Sequence, residues 1–298
     1  MIRRPPRSTP SNSSAASDVY KRQQEYSRGK AKTKVREISA KELKNKGLPV
    51  VPFASGTAIR FNPDPEIFET LEFKPQTIID HLRQQAFLTK GVKIVFVDKR
   101  KKEKSKGMEK LFKGEPYTFY FESGIKAYLE YLVAGKKPLV PVVCFSDEVN
   151  SLQVDVGLSY ISDFNEHLYG FANNIHTQEG GMHLTGFRSA LTRVISDYAK
   201  KVKENGNGKE KVNLTGEDVR GGLVAVVSVR LPEPQFEGQT KAKLGNPEAR
   251  TAVESVVSQK LTSFLEENPK VAKLILEKVF LAAKARLAAK AAKETVLR

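Results

Sequence analysis

Tryptophan is absent from the 298 residues, cysteine occurs once and histidine four times. A single cysteine excludes an internal disulfide and a cysteine-rich zinc site. Cys144 lies in the apolar run Leu139-Val-Pro-Val-Val-Cys-Phe145, where a free thiol reads as an inert core residue. His81, His167, His176 and His183 lack the spacing of zinc ligands, so each reads as structural and no metal ligand is assigned. No apolar stretch approaches the roughly 18 residues that cross a bilayer, which predicts no membrane partner and a soluble, intracellular chain. Acidic residues are also scarce beside basic ones: 34 Asp and Glu face 50 Lys and Arg, a formal net charge of +16. That excess points to a polyanionic partner such as nucleic acid, without saying anything about fold. The length suggests about two domains, and an apolar fraction of 40% supplies their cores.

Residues 1–23 show no helical or strand period and are dense in Ser, Pro and Arg, a composition that builds no core. They read as a non-native, adapter-like or disordered segment outside the fold. Their five basic residues and one acidic residue leave +12 for the rest of the chain, which is still distinctly basic.

From Gln24 the chain becomes periodic. Gly56-Thr-Ala-Ile-Arg-Phe61 reads as a strand and Asn62-Pro-Asp-Pro65 as a turn. Pro75 opens a helix through Leu88, with Ile78, Ile79, Leu82 and Ala86 on one face. Val92-Lys-Ile-Val-Phe-Val97 follows as a strand, completing a β-α-β order. The lysine-laden stretch from Asp98 to Lys113 is a charged connection or hairpin, and Glu122–Leu132 a short helix with Ile125, Tyr128, Leu129 and Leu132 inward. Strands are expected at Leu139–Phe145 and Leu152–Tyr160, and a helix from His183 buries Phe187, Leu191, Val194, Ile195 and Tyr198. Asn205-Gly-Asn-Gly208 has no buried strand before it and reads as a surface loop. Thr215-Gly-Glu-Asp218 has capping-box spacing. Leu223-Val-Ala-Val-Val-Ser-Val229 is a continuous β-branched run suited to a strand buried on both faces. Pro247 opens a helix to about Glu267 with Val253, Val256, Val257, Leu261 and Leu265 inward, and Asn246 before it is a good capping type. A last helix follows Asn268-Pro269, rich in Ala, Lys and Leu and too long and basic to be buried throughout.

Between that strand and helix lies Pro232-Glu-Pro-Gln-Phe-Glu-Gly-Gln-Thr-Lys-Ala-Lys-Leu-Gly-Asn246. Gln239, Thr240, Lys241 and Lys243, with Gly238 and Gly245 as pivots, offer amide, hydroxyl and ammonium donors to an anion such as phosphate. By composition alone such a loop is more often a solvated connection than a phosphate clamp.

The string Gln235-Phe-Glu-Gly-Gln-Thr-Lys-Ala-Lys-Leu-Gly-Asn246 closely resembles a loop of the DNA gyrase B family and its type IIA topoisomerase relatives. Phe171-Ala-Asn-Asn-Ile-His-Thr-Gln-Glu-Gly-Gly-Met-His-Leu-Thr-Gly-Phe-Arg188 is a second signature of that family, and the likeness runs over residues 24–298. The resemblance implies an α+β fold: the C-terminal part of a GHKL-type ATPase sandwich over 24–122, then a transducer domain over 123–298 with a βαβ-containing sheet and a long C-terminal helix. It implies an ATP-dependent DNA topoisomerase subunit, more gyrase-like than topoisomerase IV-like, coupling ATP hydrolysis to strand passage. Gln239 and Lys241 fall where the family reaches the γ-phosphate of ATP, and both are the catalytic candidates. Gly56 and Thr57 fall on the adenine pocket, where a threonine can hold a water against the base or be an ordinary strand residue. Arg188 falls on a position facing the DNA cavity; its bland reading is a solvated helix arginine. The partners implied are double-stranded DNA, an A-type subunit in a heterotetramer and a second copy that pairs when ATP binds, all in the cytoplasm.

The family's Mg²⁺-binding Asn, its Glu general base, its adenine-reading Asp and its glycine-rich lid come before the stretch that Gln24 begins, so this chain alone is expected to be inactive. Ser123, Met182 and Gly221 depart from the usual Gly, Thr and Glu, which puts a hydroxyl contact at 182 and a salt bridge at 221 in question. Two rival classes remain: another GHKL ATPase, such as a mismatch-repair protein, and a non-enzymatic basic nucleic-acid-binding protein whose affinity ignores nucleotide.

Overall fold

The computed structural model describes residues 22–45, 56–100, 116–204 and 213–296. The chain divides into two compact units at Phe73 and Lys74. In the first, β1 (Arg22–Gln23), β2 (Tyr26–Ser27), β3 (Lys30–Ala31) and β4 (Arg36–Glu37) make two nested antiparallel ribbons, β2 with β3 inside β1 with β4. α1 (Ala40–Asn45) follows. Arg22 and Gln23 are therefore paired with Glu37 and Arg36. The turn expected at Asn62–Pro65 lies about two residues further on, at 65–67: the Asp64 carbonyl accepts from the Ile67 and Phe68 amides and its carboxylate accepts from the Glu66 amide.

Gly56–Phe61 is not a strand. A strand is held by a neighbour's ladder and by burying alternate side chains. Here residues 56–62 are exposed throughout, with Ile59 at 85% and Phe61 at 68%, so the period-2 pattern has no surface to act on. The β-α-β order therefore loses its first member.

The second unit opens with α2 (Pro75–Leu88), which starts on the proline that the sequence marks and buries Ile79, Ala86, Phe87 and Leu88. β5 (Ile94–Phe96) pairs antiparallel with β6 (Tyr117–Phe119), so both flanks of the lysine-rich connection join in a ribbon; residues 101–113 of it lie outside the described residues. α3 (Ile125–Val133) buries Tyr128, Leu129 and Val133.

The sheet and its covering helices come next. They are β7 (Val143–Val149), β8 (Leu152–Tyr160), β9 (His167–Ala172), β10 (Ile175–His176), β11 (Gly180–Gly181), α4 (Met182–Glu204), α5 (Gly216–Arg220), β12 (Leu223–Arg230), β13 (Lys243–Leu244), α6 (Pro247–Glu267) and α7 (Pro269–Val296). Five strands form one sheet in the order β10-β9-β12-β8-β7, with β12 parallel to β9 and antiparallel to β8. β9, α4 and β12 thus form the expected βαβ unit. Asn205–Gly208, between α4 and α5, lies outside the described residues.

β12 sits in the middle, and the β-branched run explains why. Leu223, Ala225, Val227 and Val229 enter the core shared with α4, α6 and α7, while Val224 and Val226 enter a second core with α3 and the end of α2. Two hairpin turns use paired left-handed residues, Asn150-Ser151 between β7 and β8 and Asn173-Asn174 between β9 and β10, the geometry that matches strand twist. β7 begins four residues later than Leu139, because Pro141 has no N–H to give a ladder. Cys144 is consequently not a core residue: it lies exposed on edge strand β7, although the protein packed around its sulfur pushes the thiol up to about 11, so it stays protonated at neutral pH.

The Thr215 capping box forms: the hydroxyl accepts from the Asp218 amide, and the Asp218 carboxylate accepts from the Thr215 amide. Buried Asp218 also takes two bonds from Arg286 of α7, at 2.8 and 2.9 Å. Buried Lys278 donates to the Ser162 and Asp163 carbonyls and lies 4.0 Å from the Phe164 ring centre. α7 is buried along Ala272, Ile275, Leu276, Val279 and Ala283 and exposed from Ala288 to Thr295.

Candidate functional site

The Pro232–Asn246 loop is a clip with a closed neck and an exposed tip. At the neck the Gln235 amide donates to Asn246 Oδ1 at 2.6 Å, the Gly245 amide donates to the Gln235 carbonyl at 2.8 Å, and Phe236 bridges Leu244. Asn246 Nδ2 donates to the Glu233 carbonyl at 3.1 Å and to Glu248 at 2.6 Å. Asn246 therefore does not cap α6 as its type suggests: its carboxamide is turned back to satisfy two loop backbone groups, and a side chain cannot do both.

Above the neck the Glu237 amide donates to the Lys243 carbonyl at 3.1 Å, and the Lys241 amide donates to the Gly238 carbonyl at 3.0 Å. That last bond closes a four-residue turn with Gln239 and Thr240 at its apex, both exposed. Lys241 has φ 56, a left-handed conformation that costs a side-chain-bearing residue roughly 1–2 kcal/mol. Such strain persists where surroundings impose it and is concentrated at ligand sites.

The two lysines differ in their partners. Lys243 Nζ is 2.9 Å from Glu237 Oε1. Lys241 has no carboxylate partner among the described residues; its Nζ lies 6.0 Å from the Phe236 ring centre. The tip thus presents one uncompensated ammonium, an amide and a hydroxyl to solvent, a donor set that fits a phosphate.

Gly56 and Thr57 lie in the first unit, exposed and outside any regular element. Among the described residues, no group of three His, Cys, Asp or Glu could hold a metal ion.

Arg188, on α4, is half-buried and not merely solvated: its Nε donates to Glu166 at 2.8 Å, and Arg220 of α5 donates to the other oxygen of that carboxylate at 3.2 Å. Two guanidinium groups sharing one carboxylate leave a net positive charge. Glu166 and Arg220 were not legible as site residues, since neither spacing nor composition links them to Arg188. His183 is buried with its Nε2 3.2 Å from the Thr177 hydroxyl, and burial pushes its pKa down to about 4. His176 is likewise lowered by burial. Both support the structural reading. Met182, the first residue of α4, is half-buried, Ser123 is exposed ahead of α3, and Gly221 packs under α7, where an added Cβ would lie 3.1 Å from that of Ala282. Among the described residues no helix is long and apolar enough to cross a membrane.

The DNA gyrase B family model matches residues 124–295, more than half of the chain. The DNA gyrase B subunit of Clostridium acetobutylicum is 46% identical over 248 residues, which cover 82% of this chain and 36% of that protein. The DNA gyrase B subunit of Bacillus mycoides is 47% identical over 246 residues, covering 82% of this chain and 58% of the relative. The chain therefore spans less than two thirds of the length of either. Among solved structures, the 43K ATPase domain of Thermus thermophilus gyrase B in complex with an aminocoumarin aligns at a TM-score of 0.69 and 35% identity, over 93% of this chain and 69% of that one. A match over most of α3 to α7, together with relatives alike in both sequence and fold, places the chain in the DNA gyrase B family.

Proposed function

We propose that the chain serves in the ATP-operated B subunit of a bacterial type IIA DNA topoisomerase, and that the tip Gln239–Lys241 is its sensor for the terminal phosphate of ATP. The carrying observation is Lys241 itself, a lysine held in a left-handed turn with no carboxylate partner among the described residues, two positions from a lysine that has one. A fixed ammonium stabilises negative charge that builds during phosphoryl transfer without transferring a proton. Gln239 adds a neutral hydrogen bond, and Gly56 and Thr57 are assigned to the adenine pocket by the family resemblance alone. Bound ATP with Mg²⁺ would supply the phosphoryl group; the residues here orient and sense it.

On this reading residues 24–122 close the ATPase domain and 123–298 form the transducer, a boundary supported by the family match beginning at residue 124. Arg188, backed by Arg220 over Glu166, faces DNA. The protein works in the cytoplasm with an A-type subunit in a heterotetramer and pairs with a second copy when ATP binds. The relatives' names support gyrase over topoisomerase IV. The test is reconstitution: a full B subunit carrying this chain, mixed with its A-type partner, is expected to introduce ATP-dependent negative supercoils into relaxed plasmid. Decatenation without supercoiling would assign topoisomerase IV instead, and neither activity would overturn the proposal.

A further inference from the structure

The clip that carries Lys241 does not stand on its own base. It leans on the short segment ahead of α4: the Glu179 amide donates to the Ala242 carbonyl at 3.0 Å, and β13 runs parallel to β11 with Gly180 opposite Lys243 and Gly181 opposite Leu244. Leu244 is fully buried in the core beneath the sheet. β11 is itself held from behind, because the Gly180 amide donates to the Thr177 carbonyl at 2.9 Å and the Thr177 hydroxyl meets buried His183. The clip's height is therefore set where β13 touches β11.

Two adjacent glycines sit at that contact, and they differ in what their missing side chains spare. Gly181, at φ +138, would place a Cβ 2.5 Å from both the amide nitrogen and the carbonyl oxygen of Leu244. Gly180, at φ +84, would place one 3.7 Å from a Leu184 methyl and nothing closer. Heavy atoms settle at roughly 3.5–4.0 Å, so a side chain at 181 drives β13 back by about 1 Å, whereas one at 180 strains its own backbone and leaves β13 alone. The Glu237–Lys243 and Gly238–Lys241 backbone bonds make the clip a short lever, and displacement at Leu244 is carried to the tip three residues away.

We infer that Gly181 is a positioning residue for Lys241: by having no side chain it lets β13 close onto β11, and this contact fixes where the ammonium stands over the terminal phosphate. The inference rests on the reading of Lys241 as the phosphate sensor. A misplacement of about 1 Å costs on the order of 10²-fold in rate for a group whose work depends on distance.

The experiment is a double-variant cycle on ATP turnover in a full B subunit carrying this chain, with ADP binding used to count folded sites. Gly181→Ala is expected to lower turnover per folded site by on the order of 10²-fold, and Gly180→Ala, at a positive φ of its own (+84) but with no backbone of β13 in its way, by less than about tenfold. In a Lys241→Ala background Gly181→Ala is expected to add no further loss, because a residue acting through Lys241 has nothing left to position. A purely structural role would multiply the two losses, and that result overturns the inference. Equal losses from both glycine variants overturn it as well. A Lys241→Ala variant that turns over normally overturns the sensor reading instead. Should Gly181→Ala fail to fold, amide exchange in the unaltered protein decides: Glu179 N–H is expected to exchange more slowly with a non-hydrolysable ATP analogue than with ADP, and equal rates contradict the inference.

Discussion

Replacing Asn246 separates two accounts of the loop's neck. Asn246 is fully buried and immediately precedes α6, so by residue type it is an N-cap. Its observed bonds run the other way, to the Gln235 amide and the Glu233 carbonyl. The third, to Glu248, concerns an exposed carboxylate that water can serve equally well. Asn246→Ala strands two backbone groups in a partly buried neck. At the lower end of about 1–3 kcal/mol for each unsatisfied group, the loss is about 2 kcal/mol, or roughly 4–8 °C in melting temperature for a unit of this size. Asn246→Gly discriminates between the accounts, since glycine replaces a capping residue at a cost of only a few tenths of a kcal/mol but restores neither neck bond. Thermal and urea melts of the two variants are expected to agree. A Gly variant as stable as the parent beside an Ala variant about 1 kcal/mol weaker would restore the capping role and refute the neck.

Stability between pH 6.5 and about 4 should fall because of His183. Its folded pKa lies below its ordinary value, so the unfolded chain takes up the proton first and stability rises with pH across that window, by up to about 3 kcal/mol. Urea midpoints against pH should flatten there in His183→Gln. Asp218 acts lower still: burial raises its pKa, but the hydrogen bonds from Arg286 and Thr215 outweigh that and hold it below the usual range, so its contribution is present at neutral pH and lost as its carboxylate protonates. Arg188→Gln in a full B subunit should weaken DNA stimulation of ATP turnover, leave basal turnover alone and lower the salt slope by about 1 for a lost phosphate contact; unchanged stimulation across a salt series would remove Arg188 from the DNA face. The chain by itself should release no phosphate from ATP, and turnover near that of a full B subunit would contradict the division of labour proposed for it.

Legibility followed the range of the forces involved. α2, β8, α6 and the capping box of α5 were readable to within a residue, because Pro75, Pro247, Pro269 and Thr215 act on their own neighbours and the apolar period names the buried face. Gly56–Phe61 misled because a period-2 pattern states what a strand would bury, and exposed Ile59 and Phe61 bury nothing. Cys144 misled because an apolar run does not say which residue of an edge strand faces out. The loop's chemistry was legible as a string, but its mechanics were not: Asn246 turning back, Lys243 paired to Glu237, and Gly181 against Leu244 all join residues that only the fold brings together. The Glu166 bridge between Arg188 and Arg220 spans 54 residues at its wider end and has no sequence signal.

The most direct measurement compares ATP turnover by full B subunits carrying Lys241→Ala and Lys243→Ala, with ATP binding followed in parallel. Cationic groups in comparable roles contribute roughly 10³ to 10⁵ in rate, so Lys241→Ala should remove most hydrolysis. Gln239→Ala, which loses a neutral hydrogen bond of about 0.5–1.5 kcal/mol, should cost less, and Lys243→Ala little, with binding largely preserved in all three. Equal damage from Lys243→Ala and Lys241→Ala would mean that the loop is only a basic patch, and would contradict the sensor.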